Sequence, residues 1–354
     1  MDTTPAEAVK TFNELFGEVY EQIIGQEEVI EQVLCAFLSS GHVLLTGVPG
    51  LAKTRLVRVF ARCLGLSFGR IQYTPDLLPS DITGSEILQY DQSKGRRTFE
   101  FIKGPIFHHL VLADEINRAS PRTQAAMLEA MQERGVTYGG TRYLLPQPFM
   151  VCATQNPIES EGTFPLPEAQ LDRFFIHVLV NYPSQQEELA ILQGHHNHKL
   201  KEVDDGVRKP EEVSIERVDF LQKILEYVRN MTVDRVIFEL VNELVRNSRL
   251  PFETLAEVKP SGFDERMHQV RYGAGPRGSL CLIAAAKAKA FLQGDKEVRW
   301  RHVKALACPV LRHRIGLKSS YLRHLGGHLS GVDAFINAHI DVIEKKHRLL
   351  DKMH

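Results

Sequence analysis

Phe12, Phe16, Val19 and Ile23 recur at intervals of three and four, and Val29, Val33 and Phe37 continue the spacing. This is the stripe of a buried helix face, so residues 1 to about 40 are read as helical. The rhythm then breaks. "HVLLTG" (42–47) is a short apolar run closed by glycine, which predicts a strand. Residues 53–64, "KTRLVRVFARCL", return to helical spacing with Leu56, Val57, Phe60 and Leu64 inward. Further apolar runs lie at 68–73, 109–113, 149–154 and 174–180, and helical stretches separate several of them. Short apolar strands alternating with helices predict a mostly parallel sheet covered on both faces.

The strand signal stops at about residue 181. Pro183 and Ser184 open a helical pattern that lasts to the end, apart from a polar interruption at 194–214 and an irregular one at 250–276. The expected architecture is an α/β domain over residues 1–181 and a smaller all-helical domain over 182–354. With 354 residues, either part is long enough to enclose a core.

Composition narrows the function classes. Hydrophobic residues at 43% and charged residues at 25% are those of an ordinary globular chain. A net charge of −1 provides no basic field for coating nucleic acid or an anionic membrane. No apolar run approaches the roughly 18–20 residues that span a bilayer, and the N-terminus lacks the basic flank and apolar middle of a signal peptide. Cys35, Cys63, Cys152, Cys281 and Cys308 show no paired spacing, which argues against a disulfide framework or a metal cluster. A cytoplasmic protein with small buried thiols is expected.

The chemistry begins at "GVPGLAKT", comprising Gly47, Val48, Pro49, Gly50, Leu51, Ala52, Lys53 and Thr54. It follows the first strand and opens a helix, the place where backbone N–H groups and the positive helix end cradle phosphate. The spacing is that of the Walker A loop, with Ala52 at the last small position. Alanine is small enough for close approach if its φ is negative. Lys53 is expected on the β- and γ-phosphates of ATP and Thr54 on Mg²⁺.

"HHLVLADEINRASPRTQ" (108–124) supplies the counterpart. A buried strand tipped with two carboxylates needs a cation there. Asp114 fits a Walker B carboxylate that holds Mg²⁺, and Glu115 a general base that polarises the attacking water. The plainer alternative makes Asp114 the cap of the helix beginning near Pro121. A phosphate loop and two carboxylates on adjacent strands argue against it.

These segments, with "ATQNP", "PLPEAQLDRFF", "TPDLLPSDITG" (74–84) and "GAGPRGSL" (273–280), closely resemble the MoxR branch of the AAA+ ATPases. The likeness runs in order from "IIGQEEVI" (23–30) to "VLRHRI" (310–315). It implies a P-loop AAA+ core followed by a helical lid. Within it Asn156 resembles sensor 1, which orients the water, with helix capping as the plainer alternative. Arg173 resembles the arginine finger that enters a neighbour's site, against a salt bridge to Asp172 or Glu168. Arg277 resembles sensor 2, contacting the γ-phosphate from the lid. Gly25 and Gln26 match the loop beside adenine. Asn117 and Arg118 point toward a subunit interface, with no role assigned.

The resemblance further implies a homo-oligomeric ring, expected as a hexamer, that hydrolyses ATP with Mg²⁺ and remodels a client protein. Partners with von Willebrand A domains, and maturation tasks such as metal or cofactor insertion, come with the family. A helicase-like nucleic-acid motor and a nucleotide-gated switch are the alternatives. Near-neutral charge argues against the first, and Glu115 with Arg173 against the second.

Two segments read as hairpins: 82–103, with "DQSKG" as turn, and 135–148, turning at Gly139-Gly140. The first carries Tyr90, Lys94, Arg96 and Arg97, a mixture suited to gripping a client or to a plain solvated hairpin. His195, His196 and His198 in "GHHNHKLKEVDDG" lack a carboxylate partner at ligand spacing. "WRHVKALACPVLRHRIGLK" (300–318) is expected as the last lid helix followed by a basic segment, with a solvated face as the default. The tail after 319 has an amphipathic helical pattern.

Overall fold

The computed structural model describes residues 5–91, 96–157, 162–197, 208–249, 270–318 and 328–347. Helices α1 (Pro5–Gln22) and α2 (Glu27–Leu38) lead into strand β1 (Val43–Thr46). Helix α3 (Lys53–Leu64) starts at the phosphate loop and stops at Gly65, whose φ of +67° suits glycine. Strand β2 (Phe68–Gln72) and short helix α4 (Pro79–Thr83) precede an antiparallel hairpin of β3 (Gly84–Asp91) and β4 (Arg96–Lys103). The turn of this hairpin, with Lys94, lies outside the described residues.

Next come β5 (Leu110–Asp114) and α5 (Pro121–Glu133). Ser120 caps α5 by accepting from the Thr123 N–H, and Pro121 takes the first helical position. Asp114 is therefore not that helix's cap. The hairpin of β6 (Gly135–Tyr138) and β7 (Thr141–Leu144) turns at Gly139 and Gly140, both with positive φ. Strand β8 (Met150–Gln155), helix α6 (Glu168–Leu171) and strand β9 (Ile176–Leu179) complete the α/β part.

The five long-range strands form one parallel sheet in the order β2-β5-β8-β1-β9. The phosphate loop and the acidic strand are consequently not adjacent, contrary to the sequence expectation: β8 lies between them. Alternate strand residues feed two cores. Val43, Leu45, Leu110 and Cys152 face α1, α2 and α3, whereas Leu44, Val111, Ala113 and Val151 face Met127, Leu128 and Met131 of α5.

The chain continues through α7 (Gln185–His196), α8 (Ile215–Arg229), β10 (Thr232–Val233), α9 (Arg235–Asn247), β11 (Val270–Tyr272), α10 (Pro276–Leu292), β12 (Glu297–Val298), α11 (Trp300–Leu311), β13 (Gly316–Leu317) and α12 (His328–Lys346). Strands β10 with β12 and β11 with β13 make two-stranded ribbons. At two or three residues each they are too short to leave a period in the sequence. His198 and most of the interruptions at 194–214 and 250–276 lie outside the described residues. No helix among the described residues is long and apolar enough to cross a membrane.

The basic segment after α11 departs from expectation. Arg312, His313 and Arg314 form a tight turn and all three are buried, not solvated. Arg312 pairs with both oxygens of Asp333 on α12, at 3.0 and 2.7 Å, and donates to the His177 carbonyl. His313 bonds the Phe174 carbonyl, and Arg314 donates to the carbonyls of Phe174 and Phe175 and to Asp172. Buried cations persist because every one finds acceptors.

Candidate active site

The parallel sheet aligns its C-terminal strand ends, and the candidate phosphate and acidic residues gather there. Gly47 follows β1 directly. A Cβ at Gly47 would sit 2.6 Å from the Val180 carbonyl, so the loop's first residue must be glycine. Its N–H donates to the carbonyl of Gln155, at the end of β8. Gly50 has φ of +85°. Ala52 has φ of +55°, correcting the negative value expected for it. The chain must reverse between Gly50 and α3, and the left-handed conformation achieves this at about 1–2 kcal/mol for a non-glycine residue.

Lys53 folds back over the loop and donates to the Gly47 carbonyl. Burial pulls its ammonium below the ordinary lysine value, while Asp114 and Glu115 pull it the other way. The cations in contact at the tip of β5 are Arg70 on Asp114 and Arg118 on Glu115, and Lys53 adds its charge from two strands away.

That tip is held by a tight polar network. The Thr154 hydroxyl donates to Asp114 Oδ1 at 2.7 Å and accepts from the Glu115 N–H at 2.8 Å. Arg70 on β2 donates to Asp114 Oδ2 at 2.8 Å. Gln72, also on β2, donates to Glu115 Oε2 at 3.0 Å, and Arg118 Nε stands 3.1 Å from the same oxygen. Glu115 has φ of +57° and starts a tight turn over Ile116–Arg118, which swings its carboxylate out of the strand line. Thr54 and Asp114 offer a hydroxyl and a carboxylate, hard oxygen donors that suit Mg²⁺. Among the described residues no group of three or more His, Cys, Asp and Glu gathers as a metal cage. A magnesium ion that keeps water and phosphate oxygens needs none.

Asn156 is buried one residue beyond β8, between the strand of the phosphate loop and the acidic strand. Gly25 and Gln26 stand beside the exit of β9: Gln26 Nε2 donates to the Asn181 carbonyl at 3.2 Å. A Cβ at Gly25, where φ is +74°, would meet the Glu187 side chain at 2.7 Å. Glu187 is itself fixed by its capping bonds with Ser184.

Arg173 and Arg277 lie elsewhere. Asp172 and Arg173 precede β9, at the N-terminal strand ends, together with Ser39–His42 before β1. Arg277, in the first turn of α10, donates to Asp172 Oδ2 at 3.2 Å. The four residues of β1 alone put about 10 Å between this edge and the phosphate loop. Within one chain the structure does not bring Arg277 to the phosphate loop; the first turn of α10 lies at the opposite edge, beside Asp172. Arg173 makes no ion pair or side-chain hydrogen bond among the described residues, for Asp172 is taken by Arg277 and Arg314, and Glu168 faces Arg271 at 3.5 Å.

Three residues of this neighbourhood escaped the sequence reading: Arg70, Gln72 and Thr154. Only Thr154 left a hint, two positions before Asn156 in "ATQN".

The chain is similar to known proteins along most of its length. The model of the ATPase family associated with various cellular activities matches residues 42–176, and an AAA lid domain matches 266–323. Chaperone MoxR1 of Mycobacterium tuberculosis is 41% identical over 312 residues, covering 88% of this chain and 77% of that protein. The uncharacterized protein YeaC of Bacillus subtilis is 41% identical over 308 residues, covering 86% and 87%. Protein MoxR of Paracoccus denitrificans is 32% identical over 336 residues, covering 91% and 93%. The crystal structure of a candidate ATPase from Cytophaga hutchinsonii superposes with a TM-score of 0.80 at 37% identity, covering 95% of each chain. The chain belongs to the MoxR family of AAA+ ATPases.

Proposed function

We propose that this chain is the subunit of a homo-oligomeric ring, expected as a hexamer, that hydrolyses ATP with Mg²⁺ and uses the cycle to remodel a client protein. The separation of the candidate residues carries the reading. Phosphate-binding and acidic residues occupy one edge of the sheet, and Arg173 with Arg277 the other. A second copy that sets its arginine edge against the first copy's phosphate loop completes the site, and repetition of that contact closes a ring.

In the completed site Gly47 to Thr54 hold the triphosphate, with Gly25 and Gln26 beside the base. Mg²⁺, when bound, offsets phosphate charge, with Thr54 and Asp114 as its protein oxygens. Asn156 orients the water. Glu115 takes its proton as the water oxygen bonds to the γ-phosphorus, and the bond to the bridging oxygen breaks to release ADP. Arg173 of the adjoining copy stabilises the charge that develops, an effect worth roughly 10³–10⁵ in rate where a finger acts in trans. We place the boundary between the nucleotide-binding part and the lid at residue 181, and expect the protein in the cytoplasm. The name of the mycobacterial chaperone supports the remodelling role, and the MoxR resemblance supports a partner with a von Willebrand A domain.

The test is the ATPase rate per chain against protein concentration, with Arg173→Ala as the paired variant. A rate per chain that climbs with concentration, and a nearly silent variant, are expected. A flat rate with Arg173→Ala fully active overturns the shared site. Glu115→Gln, which binds ATP without turning it over, then serves as bait for the client.

A further inference from the structure

The edge that carries Arg173 encloses a cavity of about 330 Å³. Four guanidinium groups line it, those of Arg134, Arg173, Arg277 and Arg314. Against them stand one carboxylate, Asp172, and His42, whose burial holds it neutral with a pKa lowered to about 4. The wall has a strong excess of positive charge, so it favours an anion.

The four arginines are not equivalent. Arg314 is immobilised: its side chain is 1% exposed and bonded to the carbonyls of Phe174, Phe175 and Val310. Arg134 is tied to Gln147 and to the Ser40 carbonyl. Arg277 is half exposed, and among the described residues Asp172 gives it its acceptors, the carboxylate at 3.2 Å and the carbonyl at 3.4 Å. Asp172 in turn is anchored through Oδ1 by Arg314 Nε at 2.9 Å. A chain of fixed groups thus ends on Arg277, and the residue that holds it is the immediate neighbour of Arg173.

We infer that Asp172 is a positioning residue for hydrolysis at the adjoining copy's site. Braced by Arg314, it sets the guanidinium of Arg277 beside Arg173, so that two cations meet the transferring phosphate of the next subunit as one clamp. The inference rests on the shared-site reading above. The Asp172 carboxylate is engaged by Arg277 and Arg314. Its effect passes through Arg277, and it acts on the neighbour's turnover instead of its own chain's nucleotide binding.

Four variants and two mixtures test it. Asp172→Asn keeps the shape but loses the charge that holds Arg277. Its kcat is expected to fall about a hundredfold, the order of loss from misplacing a reacting group, with KM for ATP unchanged. Asp172→Glu keeps the charge and moves the anchor by one methylene. It guards against a folding defect: a lowered kcat with an unaltered melting temperature is expected. Mixed with Lys53→Ala, whose own phosphate site is disabled but whose arginine edge is intact, Asp172→Asn recovers activity above the sum of the separate proteins. Arg173→Ala mixed with Lys53→Ala is the reference. If the reference recovers and the Asp172→Asn mixture does not, Asp172 only braces its own chain and the inference falls while the shared site stands. If neither mixture recovers, the shared site fails and the inference with it. Unchanged kcat in both Asp172 variants also overturns it.

Discussion

Thr154 shows how much chemistry one hydroxyl carries. It spends its hydrogen on Asp114 and its lone pair on the N–H of Glu115, so it fixes the residue expected on Mg²⁺ and the general base together. Thr154→Val keeps the shape and loses both bonds, leaving a half-buried N–H without its partner at a cost of about 1 kcal/mol. A drop in kcat of at least tenfold, measured with steady-state ATPase kinetics, is expected with the fold retained. Ala52 makes a different demand. Its left-handed backbone tolerates alanine or glycine, whereas a β-branched side chain there is strongly disfavoured. Ala52→Val should therefore weaken ATP binding in a direct titration and lower stability, while Ala52→Gly should keep both. His42 sets a pH dependence. Its Nδ1 accepts from the Val151 N–H and its Nε2 faces the Met131 carbonyl, so the native ring is neutral. The unfolded ring binds a proton below about pH 6.5, but the folded one only near 4. Between those values the unfolded state holds more protons, so stability falls as pH falls. His109, lowered to about 4 and held by Ser67, behaves alike. Urea unfolding at pH 7 and pH 5 should show a loss on the order of 1–2 kcal/mol per histidine.

At the scale of elements, the parallel strands were legible because each is a short apolar run bounded by turn or helix signals. The two hairpins were legible from their glycines and alternation. Phe101 on β4 stacks on Tyr143 of β7 with ring centroids 4.3 Å apart, which seats one hairpin on the other. Beyond that seat Phe99 is 72% exposed and Leu88, its cross-strand partner, is 51% exposed. What the sequence did not disclose is sheet order. Arg70 and Gln72 reach the carboxylates only because β2 lies against β5, and no spacing along the chain encodes that neighbour. The burial of Arg312 and Arg314 was equally hidden, since charged residues read as solvated until their acceptors are known. The pair of Arg312 with Asp333 can be weighed directly. Asp333→Ala strands a buried guanidinium and should cost about 3–5 kcal/mol in denaturant unfolding. Replacing both residues by apolar ones of similar size should return most of that loss.

For the whole molecule, the candidate nucleotide residues were readable because they cluster in motifs, each local in the chain. The roles that depend on which edge faces which were not readable. Arg277 resembles a lid arginine from its motif, yet α10 docks it on the far edge, beside Arg173. The continuous core explains that docking. One apolar cluster runs from Phe12 and Phe16 of α1, through Val43 and Leu45 of the sheet, to Phe291 of α10 and Phe335 of α12. Sheet and helical region should accordingly unfold together. Calorimetry should give one transition whose van 't Hoff and calorimetric enthalpies agree. Two separated transitions would show that the helical region is an independent unit.

The turn of Arg312, His313 and Arg314 has a consequence for how such a chain can evolve. Its two arginines answer to different carboxylates, Asp333 on the last helix and Asp172 before β9. A buried guanidinium that loses its carboxylate is destabilised, so substitutions at 312 and 333 are coupled, and more weakly those at 314 and 172, because Arg314 keeps the carbonyls of Phe174, Phe175 and Val310. The last helix is thereby bound, through three residues, to the inheritance of the segment that bears Arg173.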